Sequence, residues 1–224
     1  YNMYAKNAWT KYEANQLEDL MKFNEDYKDF ISKAKTEREC VTYAISLCQK
    51  YGFKDIQKFD KLKAGDKVYA TNKGRNICAF IIGKEPIEDG INVLGAHIDS
   101  PRIDLKQNPI YERTDFALAD THYYGGIVKY QWVARPLALH GVVYKKDGTE
   151  IKLSIGEKDS DPVVCITDLL PHLAADKNSK PANKVIDGED LDITIGHMPI
   201  QGDDKEIAVS YTHLRAHETL SDLV

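Results

Sequence analysis

The sequence predicts an α/β fold in which a mixed sheet comes first and a β-rich unit second. Three observations carry this expectation. Two amphipathic helical stretches open the chain, three short strand-like runs follow, and after Pro101 the pattern breaks into many short β-like pieces separated by turn residues.

The first helix is expected over Tyr12 to Ile31. There Leu17, Leu20, Met21, Phe23, Tyr27, Phe30 and Ile31 recur at three- and four-residue steps between Glu, Asp and Lys. Thr36-Glu37-Arg38-Glu39 has the spacing of a capping box and opens a second helix. That helix runs through Val41, Ala44, Ile45, Leu47 and Cys48, and Gly52 stops it. Both apolar stripes are read as core packing. Lys67 to Thr71 is a short strand, Asn72 to Asn76 a turn, and Ile77 to Ile82 a second, more buried strand. A third buried strand is expected from Ile91 to His97, bounded by Gly90 and Pro101.

Asn108-Pro109 marks a break. Beyond it, β-like pieces run from Gly126 to Trp132, Leu137 to Tyr144, Glu150 to Ile155, Val163 to Thr167 and Leu191 to Ile195. Asp147-Gly148 is a hairpin turn between two of them. Ala174 to Asp190 is polar and reads as a mobile loop. The expected organisation is thus a first domain at 1–105 and a β-rich second unit at 106–209, inserted into the first. The tail at 210–224, from Ser210-Tyr211-Thr212-His213-Leu214-Arg215-Ala216-His217-Glu218 onward, resembles translated sequencing-adapter read-through and is expected to be foreign. The first residue is Tyr1, and the sequence is expected to be a piece of something longer.

The 224 residues have a net charge of -5 with lysines and acids mixed along the length, so no basic stripe points to nucleic acid. No apolar stretch approaches the roughly 18 residues of a membrane span. Cys40, Cys48, Cys78 and Cys165 lie far apart with no Cys-x-x-Cys, the usage of reduced thiols in a cytoplasmic protein.

Chemistry concentrates at Gly95-Ala96-His97-Ile98-Asp99-Ser100-Pro101. On a strand, His97 and Asp99 face the same way. The carboxylate can hold one ring nitrogen and leave the other for a metal or a proton. A satisfied histidine at a core edge is the bland alternative. Two further strings stand out, Thr121-His122-Tyr123-Tyr124-Gly125-Gly126-Ile127 and Asp168-Leu169-Leu170-Pro171-His172-Leu173.

In this order and spacing, the three strings resemble the M18 zinc aminopeptidases, the aspartyl aminopeptidase group, in its bacterial branch. The resemblance covers roughly residues 1–209. It implies a zinc-exopeptidase fold interrupted by a β-rich oligomerisation domain, a peptide substrate and a homo-oligomer. It implies two zinc ions per complete site, with cobalt or manganese also suited. His97 would be the first zinc ligand, and Asp99 the catalytic-site carboxylate that orients it. His122 and His172 would lie toward the substrate or a subunit interface. The alternatives are a tight turn with a surface histidine for His122 and a buried structural histidine for His172. The family's bridging Asp, Glu-Glu pair, further Asp and final His would follow the insertion, and this sequence contains no Glu-Glu dipeptide. A catalytic zinc needs about three protein ligands. The expectation is therefore an incomplete, inactive fragment.

Two other readings remain. One is a non-catalytic oligomerisation or scaffold module with a vestigial site. The other is a hydrolase using Ser100 as nucleophile, although no Gly-x-Ser-x-Gly elbow is present. Arg102, Asp104 and Lys106 alternate with apolar residues as on a solvated edge strand, and His140 and His197 read as structural and loop residues.

Overall fold

The computed structural model describes residues 7–197. The chain divides into two compact units, residues 1–99 and 100–224. The division falls at Asp99/Ser100 rather than after residue 105. Residues 102–105 pair with Tyr124 to Thr121 and so belong to the second unit's sheet.

The first unit opens with α1 (Ala14–Lys33) and α2 (Glu37–Lys50). The capping box forms: the Glu39 N–H donates to Thr36 Oγ1 at 3.3 Å, and the Thr36 N–H donates to Glu39 Oε2 at 2.9 Å. Gly52 ends the helix with φ +83°, a conformation that favours glycine. The helices meet where the Phe30 and Tyr43 rings stand edge to face at 5.3 Å, and the Tyr43 hydroxyl donates to Asp29 at 3.0 Å. The α1 stripe is not the packed core its periodicity suggests. Leu17, Leu20 and Phe30 are half-buried, but Met21, Phe23, Tyr27 and Ile31 are exposed.

A three-stranded sheet follows in the order β1 (Lys54–Asp55), β2 (Lys67–Asn72), β3 (Asn76–Ile81). β1 runs parallel to β2 and β3 antiparallel to it, so the sheet is mixed, as expected. Val68 and Tyr69 on the central strand are buried together with Cys40 and Val41 of α2. Gln49 of α2 donates to the Tyr69 hydroxyl at 3.4 Å, which ties α2 to the central strand. β3 is not the more buried strand. It is the sheet edge, and Cys78, Phe80 and Ile81 are exposed on it.

The expected third strand does not form. Residues 90–101 pair with nothing regular, and Ile91, Val93 and Leu94 are exposed, Leu94 fully. A run this apolar is stable as a strand only between neighbours that bury both its faces, and the three strands of this unit do not supply them.

The second unit is β-rich. β4 (Arg102–Arg113) and β5 (Phe116–Tyr124) form a long antiparallel pair at one edge of a five-stranded sheet. β6 (Pro136–Leu137), β9 (Val164–Cys165) and β10 (Ile193–Gly196) complete it in the order β4-β5-β10-β9-β6. Asn108-Pro109 does not end β4. The strand passes through it with a register shift between Leu105 and Ile110, a bulge that spares a ladder the N–H that proline lacks. β7 (Leu139–Tyr144) and β8 (Glu150–Ile155) make a separate hairpin around Asp147-Gly148, with Gly148 at φ +85°. Gly126 to Trp132 is no strand; its regular part is a single 3₁₀ turn at Lys129–Gln131.

The core of this unit gathers Ala119, Ile166, Ile186, Leu191 and Ile193. The segment 174–190 is less loose than its polarity suggests. It holds the one-turn α3 (Ala175–Asn178) and two 3₁₀ turns, and Ala174 and Ile186 anchor it in buried positions.

Candidate metal centre

His97 and Asp99 lie on the irregular stretch that leaves Gly90. The spacing does bring them together. His97 Nδ1 lies 2.7 Å from the Asp99 carbonyl oxygen and 3.4 Å from its carboxylate Oδ1. With its proton on Nδ1, the ring donates to Asp99 and carries the Nε2 lone pair, the form in which a histidine binds a metal. The His97 side chain is 82% exposed, which is the opposite of a satisfied core histidine. What differs from expectation is the scaffold, since turn-like backbone rather than β pairing sets the geometry.

The fit to zinc is partial. Among the described residues no group of three or more His, Cys, Asp or Glu side chains could hold a metal. His97 with Asp99 offers one imidazole ligand and its orienting partner. A catalytic zinc takes about three protein ligands, so the described residues do not by themselves complete a site.

The other two motifs lie in the second unit. Thr121 is buried; its hydroxyl donates to the Leu191 carbonyl at 2.8 Å, and its N–H donates to Asp192 at 3.2 Å. Asp192 also accepts from the Tyr111 hydroxyl. Burial, and then that carboxylate, push the Tyr111 phenol up to about 12. The motif is thereby tied to β4 and to the two residues that lead into β10. His122, next along β5, is exposed and stacks on Tyr123 with ring centroids 5.5 Å apart. Gly125 adopts φ +78°, the left-handed turn the double glycine permits. Gly188 makes the closest approach, because a Cβ there would meet the Tyr123 ring at 2.8 Å. No local pattern marked Gly188, which lies 65 residues from Tyr123 in sequence (188 − 123).

His172 sits exposed in the 3₁₀ turn Pro171–Leu173, which removes the buried-histidine alternative. Leu169, Leu170 and Leu173 around it are also exposed. Asp168 anchors the turn by accepting from Lys177 and from the Leu169 N–H. Burial pushes its carboxyl up, but the Lys177 ammonium and that N–H outweigh burial and hold it below the usual carboxylate value. Lys106 on β4 bridges Glu189 at 2.8 Å and Asp120 at 2.9 Å, and these hydrogen bonds, Glu189 first, raise its ammonium pKa. Arg102 pairs with Asp104 at 2.8 Å. His140 is structural, with Nε2 2.7 Å from Glu157 and a side chain 12% exposed. His197 is exposed at the end of the described chain. All four cysteines are free, and no helix among the described residues is long and apolar enough to cross a membrane.

A mixed α/β unit thus presents an exposed histidine with Nδ1 against Asp99. Residues 30–224 match the family described as aminopeptidase I zinc metalloprotease (M18), and the chain belongs to that family. A probable M18 family aminopeptidase 1 from Clostridium acetobutylicum is 54% identical over 206 residues, covering 90% of this chain and 44% of the relative. A crystal structure of an M18 aminopeptidase from Thermotoga maritima superposes with a TM-score of 0.86 at 40% identity, over 96% of this chain and 46% of that one. A crystal structure of aminopeptidase I from Clostridium acetobutylicum gives a TM-score of 0.80 at 46% identity, over 95% and 47%. The chain thus spans a little under half the length of the relatives it matches. The family match runs through the segment 210–224, which, like His213, His217 and Glu218 within it, lies outside the described residues.

Proposed function

We propose that this chain is the N-terminal part of a metallo-aminopeptidase that removes N-terminal residues from peptides, with His97 as a zinc ligand and Asp99 as the residue that holds its ring. The observation that carries this reading is the 2.7 Å contact between His97 Nδ1 and the Asp99 carbonyl oxygen, which, with the ring proton on Nδ1, leaves Nε2 for a metal. Bound zinc, as two ions in the complete site, would supply Lewis acidity and an activated water. This chain's contribution is narrower: it would present one imidazole nitrogen to the metal, with Asp99 against the other. The remaining ligands and the general base would come from elsewhere in the protein, so the chain alone is expected to release no amino acid. The enzyme is further proposed to work in the cytoplasm as a homo-oligomer, without nucleic-acid or membrane partners.

The test is made on the full-length gene product. His97→Ala should remove both bound zinc, measured by elemental analysis, and peptide hydrolysis. Asp99→Ala removes the carboxylate 3.4 Å from Nδ1 but keeps the backbone carbonyl contact, so metal affinity should fall toward the lower end of the about 10–100-fold cost of losing an orienting partner. A His97→Ala enzyme with full zinc content would sink the assignment. The second reading, a scaffold module, draws on the exposed Leu169, Leu170 and Leu173. It would gain if the full-length protein assembled normally yet neither bound zinc nor cleaved peptides.

A further inference from the structure

The chain enters the metal motif along irregular backbone and leaves it into an ordered strand end. Before His97, Ile91, Val93 and Leu94 are exposed and unpaired in any strand, and a Cβ at Gly95 would meet no atom within 4 Å. After Asp99, order begins at once. Arg102 pairs with Tyr124 in the last rung of the β4–β5 ladder. Its guanidinium carbon lies 4.3 Å from the centre of the Tyr124 ring, within cation–π range, and its Nε donates to Asp104 Oδ1 at 2.8 Å. Gly125 lays its backbone against Pro101, where a Cβ would touch Pro101 Cα and Cγ at 3.6 Å. A methyl fits that space; it is the backbone angle, φ +78°, that favours glycine.

Tyr124 and Gly125 are themselves held. Thr121 and Tyr123 point to the other side of β5. There Thr121 donates to the buried Leu191 carbonyl, and the Tyr123 ring occupies the room that Gly188 leaves. One face of the string is thus anchored while its end grips Pro101 and Arg102. Between this grip and the Asp99 carbonyl, which lies 2.7 Å from His97 Nδ1, stands only Ser100. A residue before proline is held to extended conformations, so Ser100 transmits the position of Pro101 to that carbonyl with little slack.

We infer that Tyr124 and Gly125 are positioning residues for the metal motif: by gripping Arg102 and Pro101 they fix the Asp99 carbonyl, and through it the direction of the His97 ring. The consequence for zinc rests on the peptidase reading; the effect on the ring does not.

The test reads the His97 ring in the metal-free chain by its nitrogen NMR shifts, at a pH about two units above the ordinary histidine value, where the ring is neutral. The parent should hold the proton on Nδ1. Tyr124→Leu, Gly125→Ala and Arg102→Met each loosen the grip and should make that tautomer the minority form. Tyr124→Phe keeps a ring face under the guanidinium and should keep the parent's shifts. Ile166→Val, a core change outside the motif, should lower stability without moving the ring. Parental shifts in all the loosening variants, folded by circular dichroism, overturn the proposal. So does an equal displacement in Ile166→Val, which would make the effect one of general stability. If Gly125→Ala fails to fold, Tyr124→Leu and Arg102→Met decide, since both act through side chains alone. In the full-length gene product, where His97→Ala loses its zinc, the loosening variants should bind zinc about tenfold more weakly, and unchanged affinity there overturns the positioning role as well. Where His97→Ala keeps its zinc, the peptidase reading falls, while displaced ring shifts in the metal-free chain still support the grip. The two failures are thus distinguishable.

Discussion

The chain's two strongest motifs have opposite fates. Thr121 to Tyr124 ends the shorter strand of a twelve-against-nine-residue pair, its first residue buried and bonded to Leu191 and Asp192. Ile91 to Asp99 belongs to no element, and its most apolar residue, Leu94, is fully exposed. The difference does not come from propensity, since both stretches are rich in strand-forming residues. It comes from neighbours. β5 has β4 on one side and β10 on the other, whereas the run before His97 has no strand neighbour among the described residues. A strand is stabilised by cross-strand pairs and burial, so an identical local signal yields order in one unit and irregular backbone in the other.

The largest expected effect tests the ordered side. Leu191 is fully buried in the second unit. Leu191→Ala should cost about 2–5 kcal/mol, as for other buried leucines. Urea unfolding followed by the fluorescence of Trp132, which packs against that core, reads it out. A loss below about 1 kcal/mol would mean that this core is not the unit's source of stability.

How much of this was legible beforehand divides along the same line. The capping box at Thr36, the β2–β3 turn, the β7–β8 hairpin and the pairing of His97 with Asp99 are set by residues within a few positions of one another, and each is found where its pattern stands. The errors are all questions of what lies alongside. The exposure of α1, the edge position of β3, the unformed strand at Ile91 and the anchoring of 174–190 through Ile186 depend on residues remote in sequence. Gly188 is the clearest case. Nothing near it in sequence announces that the Tyr123 ring lies where its side chain would be.

That approach gives the next effect. Gly188→Ala forces a methyl to within 2.8 Å of the Tyr123 ring, and overpacking of this kind costs about 1–3 kcal/mol. The ring also carries the His122 stack, so the imidazole NMR shifts of His122 should move as well. Combining Gly188→Ala with Tyr123→Leu should recover part of the loss, because the two sites share one contact. Strict additivity would show that the strain lies in the backbone instead.

A smaller effect is electrostatic. The folded-state pKa of Asp168 is depressed, because Lys177 and the Leu169 N–H outweigh the opposing effect of burial. A depressed carboxylate contributes stability that is fully present above its unfolded value, ordinarily 3.8, and that disappears as pH falls through the folded value. The second unit should therefore lose stability on acidification below that point, by an amount that Lys177→Met reduces. An unchanged acid limb in the variant would show that the clasp contributes nothing. As an ion pair near the surface, it is expected to be worth no more than about 1 kcal/mol.

The smallest effect is the most informative about the irregular stretch. In this chain Leu94→Ser should change stability by less than about 0.5 kcal/mol, because a fully exposed leucine has nothing to lose. In the full-length protein the same substitution should cost about 2–5 kcal/mol if the run before His97 becomes a buried strand there. Thermal unfolding of both forms, each with and without the substitution, gives the contrast directly. A large loss in this chain would mean that Leu94 is already packed. No loss in either form would mean that the apolar run has another purpose than burial, and that His97 is positioned by its contact with Asp99 alone.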